Sequence, residues 1–93
     1  MVLDSDLNRL LRSVGLRVFV EYFDVFSNLR LSNQEAADLL PHDYKLTARL
    51  TRVSCARRII ERGQADEVLR FISESKRVDA ATSQAALSLL GNA

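Results

Sequence analysis

Turn-forming residues are scarce in this chain, and that scarcity restricts its fold more than any other feature. Only three glycines and one proline occur in 93 residues, so the tight turns of a many-stranded sheet have few places to form. Hydrophobic residues make up 47% of the chain and charged residues 27%, which are globular proportions. A chain of this length holds one core of ordinary size. We therefore expect residues 1–93 to form a single domain.

Apolar residues recur at helical spacing, most clearly near the start of the chain. The first set follows the three- and four-residue steps of one helix face: Leu3, Leu7, Leu10, Leu11 and Val14. Gly15 suits the left-handed conformation that ends a helix. Ser32 and Glu35 have the spacing of a capping box, which predicts a second helix start, and Pro41 ends the short helix that follows.

The segment at residues 18–29 carries three of the four phenylalanines. Its β-branched and aromatic residues would suit a strand, but their spacing favours a helix. One side of that helix is apolar: Val18, Phe19, Tyr22, Phe23, Val25, Phe26 and Leu29. Val20 falls on the opposite, polar side, so we expect it to tolerate threonine. We expect this helix to lie at the centre of the core.

Three further helices complete the predicted fold. We expect one at residues 47–62 with Thr47 as its cap, one at residues 64–76, and an alanine-rich last helix that is capped by Asp79 or Thr82. The fold class is therefore all-α, a compact bundle of about five or six short helices.

Positive charge is concentrated in one part of the chain. The net charge of the whole protein is only +1, yet residues 45–62 carry six basic residues against Glu61 alone, a net charge of +5. Local charge, more than the total, decides whether a surface attracts phosphate groups.

The helix at residues 47–62 has one polar face on a helical wheel. Within a sector of about 80° at 100° per residue lie the hydrogen-bonding and cationic side chains of Thr47, Thr51, Ser54, Arg58 and Arg62. Arg52 and Arg57 flank this stripe, and Lys45 lies at its entry. Arg49 points to the buried side, so it either precedes the regular helix or extends along it to reach water. Such hydroxyls and guanidiniums bind phosphates and base edges.

The pair of helices around Pro41 has a familiar arrangement. The short helix contains SNQEAADLL, and a connection leads from it to the longer basic helix. Residues 32–62 therefore resemble the helix-turn-helix of DNA-binding regulators. The resemblance implies that the second helix enters the major groove and reads base edges with its first turns. Our leading interpretation is a small regulatory or accessory protein that binds nucleic acid, namely duplex DNA, and a homodimer would suit such binding.

Two other interpretations of the basic helix stay open. Its face would also dock on an acidic protein partner, which makes the chain a protein-interaction module. Alternatively, the cations are solvated and offset the helix macrodipole without any ligand.

Catalytic and metal-binding residues are too few to build a site. His42 is the only histidine and Cys55 the only cysteine, so no metal shell, nucleophile–base pair or glycine-rich phosphate loop can be assembled. We expect no enzymatic activity, no cofactor and no metal. The acids among the first leucines exclude a membrane span there, and a lone cysteine suits a reducing, cytoplasmic setting.

Overall fold

Helices make up most of the structure, a computed structural model that describes residues 3–91. In chain order they are α1 (Ser5–Val14), α2 (Leu16–Glu21), α3 (Phe23–Ser27), α4 (Asn33–Asp38), α5 (Leu46–Glu61), α6 (Ala65–Ser73) and α7 (Ala80–Gly91). No strand occurs within the described residues, so the predicted all-α class is confirmed. None of these helices combines the length and the apolar character that crossing a membrane requires.

Helix α1 follows its apolar pattern closely. All five apolar residues of the predicted set are buried. The Asp4 carboxylate caps the helix by accepting the backbone N–H of Leu7 at 2.8 Å. Gly15 ends the helix with φ +92°, and its N–H donates to the Leu11 carbonyl at 2.8 Å. The end of α1 is thus confirmed where the sequence predicts it.

Two more helix starts are capped by side chains. At α4, the Ser32 hydroxyl accepts the Glu35 N–H at 3.1 Å, and the Glu35 carboxylate accepts the Ser32 N–H at 2.9 Å. This reciprocal pair is the predicted capping box. At α7, Asp79 accepts the Thr82 N–H at 2.8 Å, so Asp79 is the cap and Thr82 lies inside the helix.

The phenylalanine-rich segment differs from the single helix that we expected. It is divided at Tyr22 into α2 and α3. Phe19 and Phe26 are fully buried, but Leu29 is 70% exposed and Val20 only 6% exposed. The prediction for Val20 is wrong because α2 packs against both α1 and α7, so it buries more than one face. Val20 lines a groove between α2 and α7 whose other lining residues are Arg17, Glu21, Asp79, Ala81, Thr82 and Ala85.

Helix α5 holds the central position that we had assigned to the phenylalanine-rich segment. It packs against α1, α3 and α4, while α7 packs against α6 and α2. Val53, Ala56 and Ile59 of α5 are fully buried. The segment expected to carry the binding stripe is therefore also the main support of the core.

Burial of Val20 has a measurable consequence. We expect Val20→Thr to lower the free energy of unfolding by about 1–3 kcal/mol, because the substitution places a hydroxyl at a buried apolar position. Phe26→Ala should lower the free energy of unfolding by about 3–5 kcal/mol, and this variant serves as the reference for a large loss. Urea denaturation of the two variants and the wild type measures both values. A Val20→Thr variant as stable as the wild type would contradict the packing of α2 against α7.

The capping carboxylates make stability sensitive to acid. The N–H and hydroxyl of Ser32 lower the pKa of Glu35 by hydrogen bonding to its carboxylate, and the hydroxyl and N–H of Thr82 lower the pKa of Asp79. A lowered folded-state pKa adds stability that is complete above the ordinary values of about 4.3 and 3.9 and disappears as the pH falls through the folded values. We therefore expect the urea concentration at the unfolding midpoint to decrease once the pH is lowered below about 4.

Glu35→Gln provides the control for this prediction. The amide can still accept the Ser32 N–H but does not titrate, so the variant should lose part of the acid dependence. NMR titration of the side-chain carboxyl carbons measures the pKa values directly. A Glu35 carboxyl that titrates at or above its ordinary value would contradict the prediction.

Candidate nucleic-acid interface

The polar stripe predicted on the basic helix lies at the surface of α5. Its members are all exposed: Thr47, Thr51, Ser54, Arg58 and Arg62. Lys45 is exposed too, immediately before the helix. Six of the eight predicted site residues thus lie on the exposed side of α5 or next to one of its two ends. Their role in binding stays a prediction.

The start of α5 differs from the prediction. The helix begins at Leu46, and Lys45 occupies the cap position with extended backbone angles and no side-chain cap. Thr47 lies inside the first turn, where its carbonyl accepts the Thr51 hydroxyl at 2.9 Å. The prediction that Thr47 caps this helix is therefore wrong.

Arg57, predicted at the flank of the stripe, is buried and only 8% exposed. Its Nε–H donates to the Phe26 carbonyl at 3.2 Å, and its Nη2 donates to the Asn28 carbonyl at 2.9 Å. Its Nη1 donates to the Asn33 side-chain oxygen at 2.8 Å. All three guanidinium nitrogens are used internally, so Arg57 cannot serve an external ligand.

Arg52 is also directed inward. Its Nη1 donates to the carbonyl of Val14, the last residue of α1. Its guanidinium lies 4.3 Å from the centre of the Tyr44 ring, which is a cation–π distance. A Cβ atom at Gly15 would lie 3.3 Å from Arg52 Nη1, so glycine gives the guanidinium room beside the end of α1.

Arg49 is the third inward arginine and is 9% exposed. Its Nη1 donates to the Ala37 carbonyl and its Nε–H to the Tyr44 carbonyl, both at 3.1 Å. Asp38 lies 3.8 Å from Nη1. Arg49 therefore belongs to the regular helix and ends inside the protein, so neither placement that we expected for it is right.

These three arginines share one task. The last carbonyls of a helix have no partner within it and carry partial negative charge. Arg52 reaches such a carbonyl at the end of α1, Arg57 at the end of α3 and Arg49 at the end of α4. Half of the six basic residues in the segment 45–62 thus stabilise the fold. One feature of the sequence indicates the internal role of Arg57: it lies one helical turn after Val53, which is on the apolar side of the helix.

Helix α1 adds exposed residues that lie outside the predicted site. Arg9, Arg12 and Ser13 are exposed on α1, and Ser13 lines a shallow depression with Thr47 and Thr51 of α5. The two helices pack against each other in opposite directions, since the start of α1 meets the end of α5 and the end of α1 meets Arg52. We call the following exposed set the α1/α5 face: Arg9, Arg12, Ser13, Lys45, Thr47, Thr51, Ser54, Arg58 and Arg62.

One carboxylate is hydrogen-bonded to two arginines of the α1/α5 face. Asp6 accepts from Arg62 Nη2 at 2.6 Å and from Arg9 Nη2 at 2.7 Å. The hydrogen bond from Arg62, then the one from Arg9, lowers the pKa of Asp6, so this carboxylate is ionised at neutral pH. Arg12 and Arg58 form no ion pair within residues 3–91.

The lone histidine and the lone cysteine are not members of the α1/α5 face. His42 is exposed, and its Nε2 lies 2.8 Å from the Asp38 carbonyl. Cys55 is half-buried on α5. Within the described part of the chain, no three histidine, cysteine, aspartate or glutamate side chains come close enough to hold a metal ion.

Arg57 and Arg58 are neighbours in the sequence, but Arg57 is buried and Arg58 is exposed. Variants of the two residues therefore distinguish a structural arginine from a surface arginine. We expect Arg57→Ala to lower the free energy of unfolding by about 2–4 kcal/mol, because it leaves buried carbonyls without a charged donor. Arg58→Ala should change it by less than about 0.5 kcal/mol. Both variants remove one positive charge from the same helix, so urea denaturation compares them directly. Equal losses would contradict the internal role of Arg57.

Comparison with known proteins found no relative of this chain. No protein-family model, no curated protein and no solved structure matched the chain. The resemblance of residues 32–62 to a helix-turn-helix therefore stays a prediction, and a function has to be argued from the α1/α5 face itself.

Proposed function

We propose that the α1/α5 face binds duplex nucleic acid, with DNA as the first candidate, in a regulatory or accessory role. The observation that carries this proposal is the exposed stripe of α5. Three arginines of that helix serve the fold, yet Thr47, Thr51, Ser54, Arg58 and Arg62 remain exposed along its length. Hydroxyl and guanidinium groups are the donors that proteins use on phosphates.

The second helix of the face favours contact with the nucleic-acid backbone. A helix with its side chains is about 10–12 Å across, and packed helices lie about 8–10 Å apart. Together α1 and α5 are therefore about 20 Å wide, more than the major groove of about 12 Å. Phosphate contacts should dominate the affinity, and base reading by α5, which the helix-turn-helix resemblance implies, would be added to them.

The placement of the aromatic residues favours a duplex over a single strand. Proteins that bind single strands stack bases on exposed aromatic rings. Phe19 and Phe26 are buried, and the other aromatic side chains within residues 3–91 are half-buried. The Tyr44 ring is also in contact with Arg52. The protein therefore offers no open ring for base stacking in its described part.

An acidic protein partner is the second candidate, and one observation favours it. Leu46, beside Lys45 at the start of α5, is 41% exposed. A large apolar side chain next to a cation suits a protein surface better than a phosphate backbone.

Salt dependence tests the proposal. The α1/α5 face has cations for about three to five phosphate contacts, so log K against log salt should have a slope of about −3 to −5 for one subunit. Arg58→Ala should make that slope shallower by about 0.9. Arg70→Ala removes the same charge from an exposed position on α6 and should leave the slope unchanged. Fluorescence anisotropy with a short labelled duplex, between about 50 and 200 mM salt, measures these values.

Two results would overturn duplex binding. One is no binding by the wild type at about 50 mM salt, where non-specific attraction to DNA is strong. The other is an equal effect of the two arginine variants, which would mean that only total charge matters. Binding to an acidic protein without binding to DNA would favour the second candidate.

A further inference from the structure

Asp6 joins the two helices of the α1/α5 face. Its Oδ1 lies 2.7 Å from Arg9 Nη2, and its Oδ2 lies 2.6 Å from Arg62 Nη2. Arg62 is 56 residues away in the sequence, so the contact exists only in the folded protein. Side-chain exposures are 45% for Asp6, 75% for Arg9 and 41% for Arg62. All three groups are open to an approaching ligand.

Two guanidiniums around one anion form the kind of site that binds a phosphate. Each guanidinium presents N–H groups in a flat fork that fits carboxylate and phosphate oxygens alike. In the free protein, each carboxylate oxygen of Asp6 accepts from one arginine. The anion between the two arginines is thus supplied by the protein itself.

We propose that Asp6 is an intramolecular competitor for the nucleic-acid backbone, and that a backbone phosphate displaces it from Arg9 and Arg62. This inference rests on the proposed function of the α1/α5 face. While Asp6 holds the two arginines, they contribute less attraction to a distant polyanion. When a phosphate replaces the carboxylate, both arginines become phosphate contacts. Asp6 therefore weakens binding and reduces its salt dependence.

A charge-matched pair of variants tests this proposal. Asp6→Asn removes the competing charge at the second residue of α1. Asp24→Asn removes an exposed charge at the second residue of α3, where no ion pair forms among residues 3–91. The total charge and the helix position thus change equally in both variants.

The expected results differ between the two variants. Near 100 mM salt, one additional phosphate contact corresponds to roughly fivefold to tenfold tighter binding and a slope steeper by about one. We expect this gain for Asp6→Asn and less than about a twofold change for Asp24→Asn, which alters only the distant field. Anisotropy titrations with the same labelled duplex measure both, and urea denaturation verifies that each variant is folded.

The outcomes separate this inference from the proposed function. If the wild type binds the duplex and both variants bind it with equal affinity, the competitor role of Asp6 is overturned while duplex binding stands. Weaker binding by Asp6→Asn would overturn it as well, because Asp6 would then hold the arginines in a productive position. If neither the wild type nor Asp6→Asn binds at about 50 mM salt, both proposals fail.

Discussion

The structure depends on arginines that reach from α5 to the ends of other helices. Each helix that stops inside a small domain leaves carbonyl groups without partners, and burying them unpaired is costly. Here Arg49, Arg52 and Arg57 donate to carbonyls at the ends of α4, α1 and α3. Side chains of one long helix thereby stabilise the ends of three shorter ones. Because arginines satisfy these carbonyls, few glycines are needed to end the helices.

Two uses of positive charge follow from this arrangement. Arg57 and Arg58 are adjacent in the sequence, but the first is buried against carbonyls and the second is exposed. A net charge of +5 in residues 45–62 therefore overstates the charge available to a ligand. The cations left at the surface are fewer but lie on one face with two arginines of α1, and that grouping, more than the total, supports the proposed contact with phosphate.

Sequence reasoning worked where structure is decided locally. The apolar set of α1, the glycine that ends it and the capping box of Ser32 and Glu35 all depend on residues within a few positions of each other. The exposed stripe of α5 followed from helical geometry in the same way.

It failed where a second contact surface entered. A helical wheel assumes one buried side, so it could not place Val20, which α7 covers. Arg57 was misplaced because its partners, Phe26, Asn28 and Asn33, are 24 to 31 residues away. Arg62 meets Asp6 across 56 residues, which no local pattern indicates. The function of the α1/α5 face is harder to predict, because the chemistry of its side chains shows which groups it can bind but not which molecule binds it.

The shortness of α2, α3 and α4 has a consequence for how the protein folds. They contain six, five and six residues, and isolated helices shorter than about 12 residues are marginal in water. These three helices therefore have to form together with their contacts. The 16-residue α5 exceeds that length, so we expect it to form first and to pair with α1, and the intervening chain to pack onto them afterwards. The rate of folding should then follow the meeting of these two distant segments and respond little to the helix propensity of the residues between them.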